Sequence, residues 1–207
     1  MRKLLFLLAL LAMIGAVPSN SAAETDAEGF IPLFTGKDLT GWKLRSASGL
    51  PSWSVKNGEL INTVNSGEHG TDLVTVEKFW NFTVRFEYKV PKGANSGFYL
   101  RGRHEIQILD DFASGKPSLG GNGAIYNHTP VSKFVSKPTG EWNTAEATMI
   151  GNKITLILNG VKVHDNVECN RATGSEIDGK VNEPGPIFLQ GDHGSVGFRN
   201  MRIKVLK

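Results

Sequence analysis

The stretch that decides the fold runs Asn95-Ser-Gly-Phe-Tyr-Leu-Arg-Gly-Arg-His-Glu-Ile-Gln-Ile-Leu-Asp-Asp111. Its second half alternates. Arg101, Arg103, Glu105 and Gln107 take the odd positions, and Ile106 and Ile108 the even ones. Successive side chains of a strand point to opposite faces. The spacing therefore predicts a strand with one largely apolar face, its other face carrying two cations, a carboxylate and an amide. His104 falls on the face opposite Glu105. A solvated sheet face and a polar binding surface both fit this pattern.

Working outward, the neighbouring segments also read as strands. Phe82, Val84, Phe86, Tyr88 and Val90 alternate with Thr83, Arg85, Glu87 and Lys89, the signature of a half-buried strand. Asn57-Gly58 lies between Trp53–Lys56 and Glu59–Ile61, and Asn159-Gly160 follows Ile154–Leu158. Asn-Gly between such runs marks a hairpin, because both turn positions take positive φ. Trp142–Ile150, Ile187–Gln190 and Val196–Leu206 read as further strands, with a short one at Gly123–Tyr126. Gly36–Trp42, Asp110–Gly123 and Asn127–Gly140 read as loops, and Asp165–Pro184 as a polar insertion. Amphipathic helices are absent from the pattern. Roughly a dozen short strands joined by turns predict an all-β antiparallel sandwich or jelly roll.

Met1-Arg2-Lys3 is a basic start, Leu4–Val17 an apolar run, and Ser21-Ala22-Ala23 supplies small residues before a cut. This is the pattern of a secretory signal peptide over residues 1–23. The apolar run is shorter than the ~20 residues of a membrane span. A short leader, 24–28, and one domain, 29–207, follow. Export implies a periplasmic or extracellular location. Without Arg2 and Lys3 the chain has 21 basic and 20 acidic side chains, so its net charge falls from +3 to +1. No basic stripe suggests nucleic acid. Cys169 is the single cysteine, so the fold holds without an internal disulfide.

Several blocks in order carry a family resemblance. They are Phe34-Thr-Gly-Lys-Asp-Leu-Thr-Gly-Trp42, Trp53-Ser-Val-Lys-Asn-Gly-Glu-Leu60, Asn95–Arg101, Glu105–Asp110, Gly123–Tyr126, Gly140–Asn143, Leu158–Gly160, Ile187–Gln190, His193-Gly194 and Phe198–Asn200. Over Gly29–Lys207 the chain resembles the 3-keto-disaccharide hydrolase family. The resemblance implies a concanavalin A-like jelly roll of two curved antiparallel sheets with a concave, sugar-receiving face. It implies a carbohydrate substrate whose ring carries a ketone at C3. The sequence itself requires no cofactor.

A 3-keto group acidifies the C2 proton, so a base can remove it and the C1 aglycone can leave by elimination. That chemistry needs a general base, a partner for the enolate oxygen and an acid for the leaving group. Glu105 is the candidate base, and Arg101, on the same predicted face, is a candidate to polarise the ketone. His193, in a Gly-bounded turn, is the candidate acid or base. Asn95, Gln107, Asp110, Tyr126, His128, Trp142 and Gln190 are candidate substrate contacts. A divalent metal on Glu105, Asp110 and either His128 or His193 is an option that the spacing does not single out.

Two other functions share the fold. A retaining glycosidase needs two carboxyl groups about 5–5.5 Å apart. The predicted strand face reads Glu105, Gln107, Leu109, with one acid in three positions. A glycan-binding module would use the same polar residues without a base.

Overall fold

In the computed structural model, which describes residues 24–65 and 67–207, thirteen strands build two antiparallel sheets. They are β1 (Ile31–Pro32), β2 (Trp42–Leu44), β3 (Trp53–Lys56), β4 (Glu59–Asn62), β5 (Leu73–Thr75), β6 (Phe82–Lys89), β7 (Asn95–Leu100), β8 (His104–Leu109), β9 (Asn143–Ile150), β10 (Lys153–Leu158), β11 (Val161–Glu168), β12 (Phe188–Leu189) and β13 (Val196–Val205). One sheet runs β11-β10-β9-β6-β13-β4-β3, with β1 also paired to β13. The other runs β2-β5-β12-β7-β8. This is the jelly-roll class that the strand pattern predicts. Among the described residues, the only helix is a short 3-10 turn at Phe112–Ser114, and none is long and apolar enough to cross a membrane. The segment read as a signal peptide, 1–23, lies outside the described residues.

Turn chemistry fixes the register. Asn57 and Gly58 have φ of 54° and 79°, and Asn159 and Gly160 have 50° and 79°. Each pair closes its hairpin, β3–β4 and β10–β11. Strand β6 buries every second residue, from Phe82 to Tyr88. Its Phe86 stacks on Phe98 of β7, ring centroids 3.8 Å apart, which ties one sheet to the other. Phe198 of β13 packs against both rings. Each fully buried aromatic contributes about 1.5–3 kcal/mol, so this cluster does much to hold the two layers together. Cys169 is buried and unpaired, its thiol against Arg171 O.

Three segments depart from the sequence reading. The stretch that looked like one alternating strand from Arg101 is a hairpin: β7 ends at Leu100, and Arg101 and Gly102 turn with φ of 53° and 66°. Strand β11 takes in Asp165–Glu168 by means of register shifts opposite Leu156. Gly123–Tyr126 forms only isolated bridges, through Ile125 to Ile106 and Thr129.

Candidate active site

The site lies on the outer face of the five-stranded sheet. Even-numbered residues of β7 and β8, including Phe98, Ile106 and Ile108, enter the main core. The odd-numbered ones face the other way. Tyr99 is paired across the ladder with Glu105, Gly97 with Gln107 and Asn95 with Leu109. Phe188 of β12 joins the row beside Tyr99, and the two rings stack at 4.1 Å. Val74 and Ile177 complete this small apolar cluster.

Glu105 is 3 % exposed. Its Oε2 accepts a hydrogen bond from Tyr99 OH at 2.8 Å. Its Oε1 lies over Gly97, where a Cβ would overlap it and also crowd the Tyr99 ring. Glycine at 97 is therefore what leaves room for the carboxylate. Burial drives the Glu105 pKa from 4.5 up to about 7. The Tyr99 bond and the His193 charge pull it down, while Asp192 and Asp72 push it up. The net result is a carboxyl group that ionises near neutrality, the range in which a general base works best. Burial and the facing carboxylate keep the Tyr99 hydroxyl protonated, its pKa raised well above the ordinary value.

Two walls rise beside this face. The first is 173–178, part of the predicted polar insertion. Thr173 Oγ1 accepts from Glu105 N at 2.9 Å, and Arg103 pairs with Asp178 at 2.6 Å. Arg45 donates to Ser175 O and Glu176 O, both at 2.8 Å, and reaches Asp72 at 3.1 Å. The second wall is the turn from Gly191 to Gly194. Asn62 Nδ2 donates to Gly191 O at 2.8 Å and to Gly194 O at 2.7 Å, and Asp72 Oδ1 accepts from Gly191 N at 3.0 Å. The turn carries His193, 47 % exposed, whose Nδ1 is bonded to Asp192 Oδ1.

Six of the sequence-predicted residues meet on this face: Glu105, Gln107, Asn95, Gln190, Tyr126 and His193. Gln107 donates to Gly120 O at 3.3 Å. Gln190 is buried, its backbone N–H on Gly97 O at 2.9 Å and its Oε1 without a partner. Asn95 Oδ1 is likewise buried and unpartnered. Tyr126 N donates to Glu105 O at 3.0 Å, and its ring stands beside Gly174.

Four others lie elsewhere. Arg101, 0 % exposed, swings to the core side because the hairpin turn resets the alternation. It stacks over Trp80 at 4.1 Å and donates to Gly151 O and Asn152 Oδ1. Asp110 spends both oxygens on structure, accepting from Gly93 N at 2.8 Å and Thr139 Oγ1 at 2.6 Å. His128 bonds Thr129 Oγ1 at 2.7 Å, and burial and the Arg171 charge lower its pKa. Trp142 belongs to the other sheet, with Lys89 and Arg199 over its ring. His104 faces the core as predicted, with Nε2 on Cys169 O at 3.0 Å, and burial lowers its pKa to about 4.

Alternation along one strand gave no hint of Tyr99, Asp72, Asp192, Arg45 or Gly97. Asp72 and Asp192 place two more acids near Glu105, but neither is free. Asp72 is held by Arg45 and Gly191 N, and Asp192 by His193. Among the described residues, no three His, Cys, Asp or Glu side chains converge to hold a metal ion.

With the geometry established, comparison with known proteins identifies the family. Residues 29–204 match the model of the 3-keto-alpha-glucoside-1,2-lyase-like domain. The chain belongs to this family. A 3-keto-disaccharide hydrolase of Bacteroides thetaiotaomicron is 30 % identical over 235 aligned positions, which cover 87 % of this chain and 80 % of the relative. A crystal structure from Parabacteroides distasonis, provisionally assigned as a glycosyl hydrolase, superposes with a TM-score of 0.69 at 28 % identity, over 86 % of this chain and 84 % of that one. A Bacillus licheniformis β-glucanase shares the fold alone, with a TM-score of 0.50 at 14 % identity over 81 % of this chain and 94 % of that one. This 3-keto-alpha-glucoside-1,2-lyase-like chain is thus a glycoside-cleaving enzyme with a jelly-roll fold and a carbohydrate substrate.

Proposed function

We propose that the enzyme cleaves glycosides oxidised at C3, by elimination followed by hydration. The observation that carries this reading is Glu105, a buried carboxyl group held by Tyr99 on the sheet's outer face and ionising near neutrality. In its charged form it takes the C2 proton. The C2–H electron pair forms a C2–C3 double bond, and the ketone oxygen becomes an enolate. As the enolate collapses, C3=O re-forms, the C2–C3 pair becomes a C1–C2 double bond, and the C1–O bond breaks with its electrons leaving on the aglycone oxygen. We assign protonation of that oxygen to His193, with Asp192 holding its Nδ1. Water then adds across the C1–C2 double bond, its oxygen to C1 and its proton to the now neutral His193, while protonated Glu105 returns its proton to C2, so that both residues are restored and the net reaction is a hydrolysis. Gln107, paired with Gly97 across the ladder, and Gln190, whose N–H bonds Gly97 O, replace Arg101 as the groups assigned to the ketone oxygen. The "1,2-lyase" in the family's description supports the elimination half of the scheme.

We propose also that residues 1–23 direct export to the periplasm or beyond, on the basic start, apolar run and small residues before Glu24. One preparation tests both proposals. Protein recovered from the periplasmic or culture fraction should begin at Glu24 by intact mass. A cytoplasmic protein of full-length mass contradicts export. The exported protein should cleave a 3-keto-glucoside and leave the unoxidised glucoside intact. Equal cleavage of both compounds contradicts the C3-ketone requirement.

A further inference from the structure

A hollow of about 420 Å³ opens beyond the β7 end of the site, and the scheme above leaves it unused. Asn65, Glu68, Lys92, His193 and the backbone of Gly93 and Gly194 line it. The turn that carries His193 and Gly194 borders both the hollow and the catalytic face. Gly194 packs against the backbone of Asn95, the first residue of β7. Glu105 Oε1 lies over Gly97, two residues further along, ~7 Å at the usual strand rise. His193 stands on the hollow's wall, and its charge also acts on Glu105. A glycoside with its reacting ring over Gly97 and its C1 oxygen toward His193 would therefore send its leaving group into the hollow.

The lining indicates what kind of leaving group fits. Glu68 accepts from Asn65 Nδ2 at 2.9 Å, and Lys92 adds a cation to the lining. Binding sites for apolar ligands are lined mainly by aliphatic and aromatic side chains. Here a carboxylate, an ammonium and an amide dominate. Vicinal hydroxyl groups, which both donate and accept, can satisfy all three. An aromatic ring offers none of them a partner and displaces water from the Lys92 ammonium and from the Glu68 oxygen that Asn65 does not reach, which costs binding energy. We infer that Glu68, Lys92 and Asn65 form a leaving-group subsite that reads ring hydroxyls and so sets aglycone specificity. The inference rests on the assignment of Glu105 and His193 above.

The test compares Glu68→Ala and Lys92→Ala with wild type on two compounds sharing one 3-keto-glucosyl group: a disaccharide and its 4-nitrophenyl counterpart. Both replaced residues are exposed, so the fold should survive. Loss of a hydrogen bond to a charged group should lower kcat/KM for the disaccharide about tenfold, mainly through KM, and leave the nitrophenyl compound within about twofold. Equal changes on both compounds, or none on either, would overturn the subsite and leave the reaction scheme standing. If wild type cleaves neither compound, the 3-keto reading fails and the subsite fails with it.

Discussion

A carboxylate that ionises near neutrality serves as a base only if it stays in place when charged. Tyr99 holds Glu105 through one hydrogen bond, and Gly97 leaves space for its other oxygen. Two consequences follow from its pKa of about 7. The charged form is the base, so kcat/KM should rise with pH and reach half its plateau near pH 7. Glu105→Gln should lower turnover by about 10²–10⁴-fold and leave sugar affinity nearly unchanged. The stability effect has the opposite sign. The folded pKa lies above the unfolded value, so protonated Glu105 favours folding and the advantage is lost as pH rises from 4.5 to about 7. At one unit per 1.36 kcal/mol, ionisation costs the fold roughly 3 kcal/mol. Glu105→Gln, which cannot ionise, should therefore be more stable than wild type at pH 8 by up to that amount. The gap should close toward pH 4.5 in urea melts. A variant equally active, or less stable at pH 8 than at pH 5 relative to wild type, would remove Glu105 from its role.

At the scale of elements, the site depends on the turn that carries His193. Asn62, at the end of β4, donates to two carbonyls of that turn and is wholly buried. Asn62→Ala leaves Gly191 O and Gly194 O unpaired, at about 1–3 kcal/mol for a buried group. Urea melts should show a loss of roughly 2–3 kcal/mol, and turnover should fall with it as Asp192 and His193 lose their anchor. Unchanged stability would mean that the clamp contributes nothing.

The elements also show why sequence reading succeeded where it did. Asn57-Gly58, Asn159-Gly160 and the alternation in β6 are local signals, and each marks its element within a residue or two. Arg101-Gly102 makes an equally tight turn. Arginine rarely takes positive φ, so nothing local announced it, and the odd-position rule carried Arg101 onto the wrong face. β2 begins at Trp42, the last residue of the Gly-bounded loop, and three residues carry no alternation of their own; pairing with β5 is what makes them a strand. Asp72, Tyr99 and Asp192 come from three separate strands or turns. Only the sheet order β5-β12-β7-β8 brings them to Glu105. Trp142 lies away from the candidate face for a related reason: its neighbours in sequence are polar, but its neighbours in space are Lys89 and Arg199 on the other sheet.

For the whole molecule, two sheets divide the labour. The eight-stranded sheet supplies mass and the Phe86 and Phe198 side of the core, and carries its charges as surface pairs such as Arg85–Glu146 and Arg199–Glu87. Exposed pairs of this kind add about 0–1 kcal/mol each, so hydrophobic packing between the sheets carries the stability. The five-stranded sheet presents Glu105, the amides and the two walls. It thereby gives a fold shared with glucanases a site with one uncommitted carboxyl group. In the proposed reaction this group removes a proton from C2. The direct measurement uses 4-nitrophenyl 3-keto-glucoside carrying deuterium at C2, whose good leaving group keeps proton removal rate-limiting. Proton removal by Glu105 predicts a primary isotope effect, with kcat/KM several-fold lower for the deuterated compound. Equal rates for the two compounds would contradict it and point to direct displacement at C1.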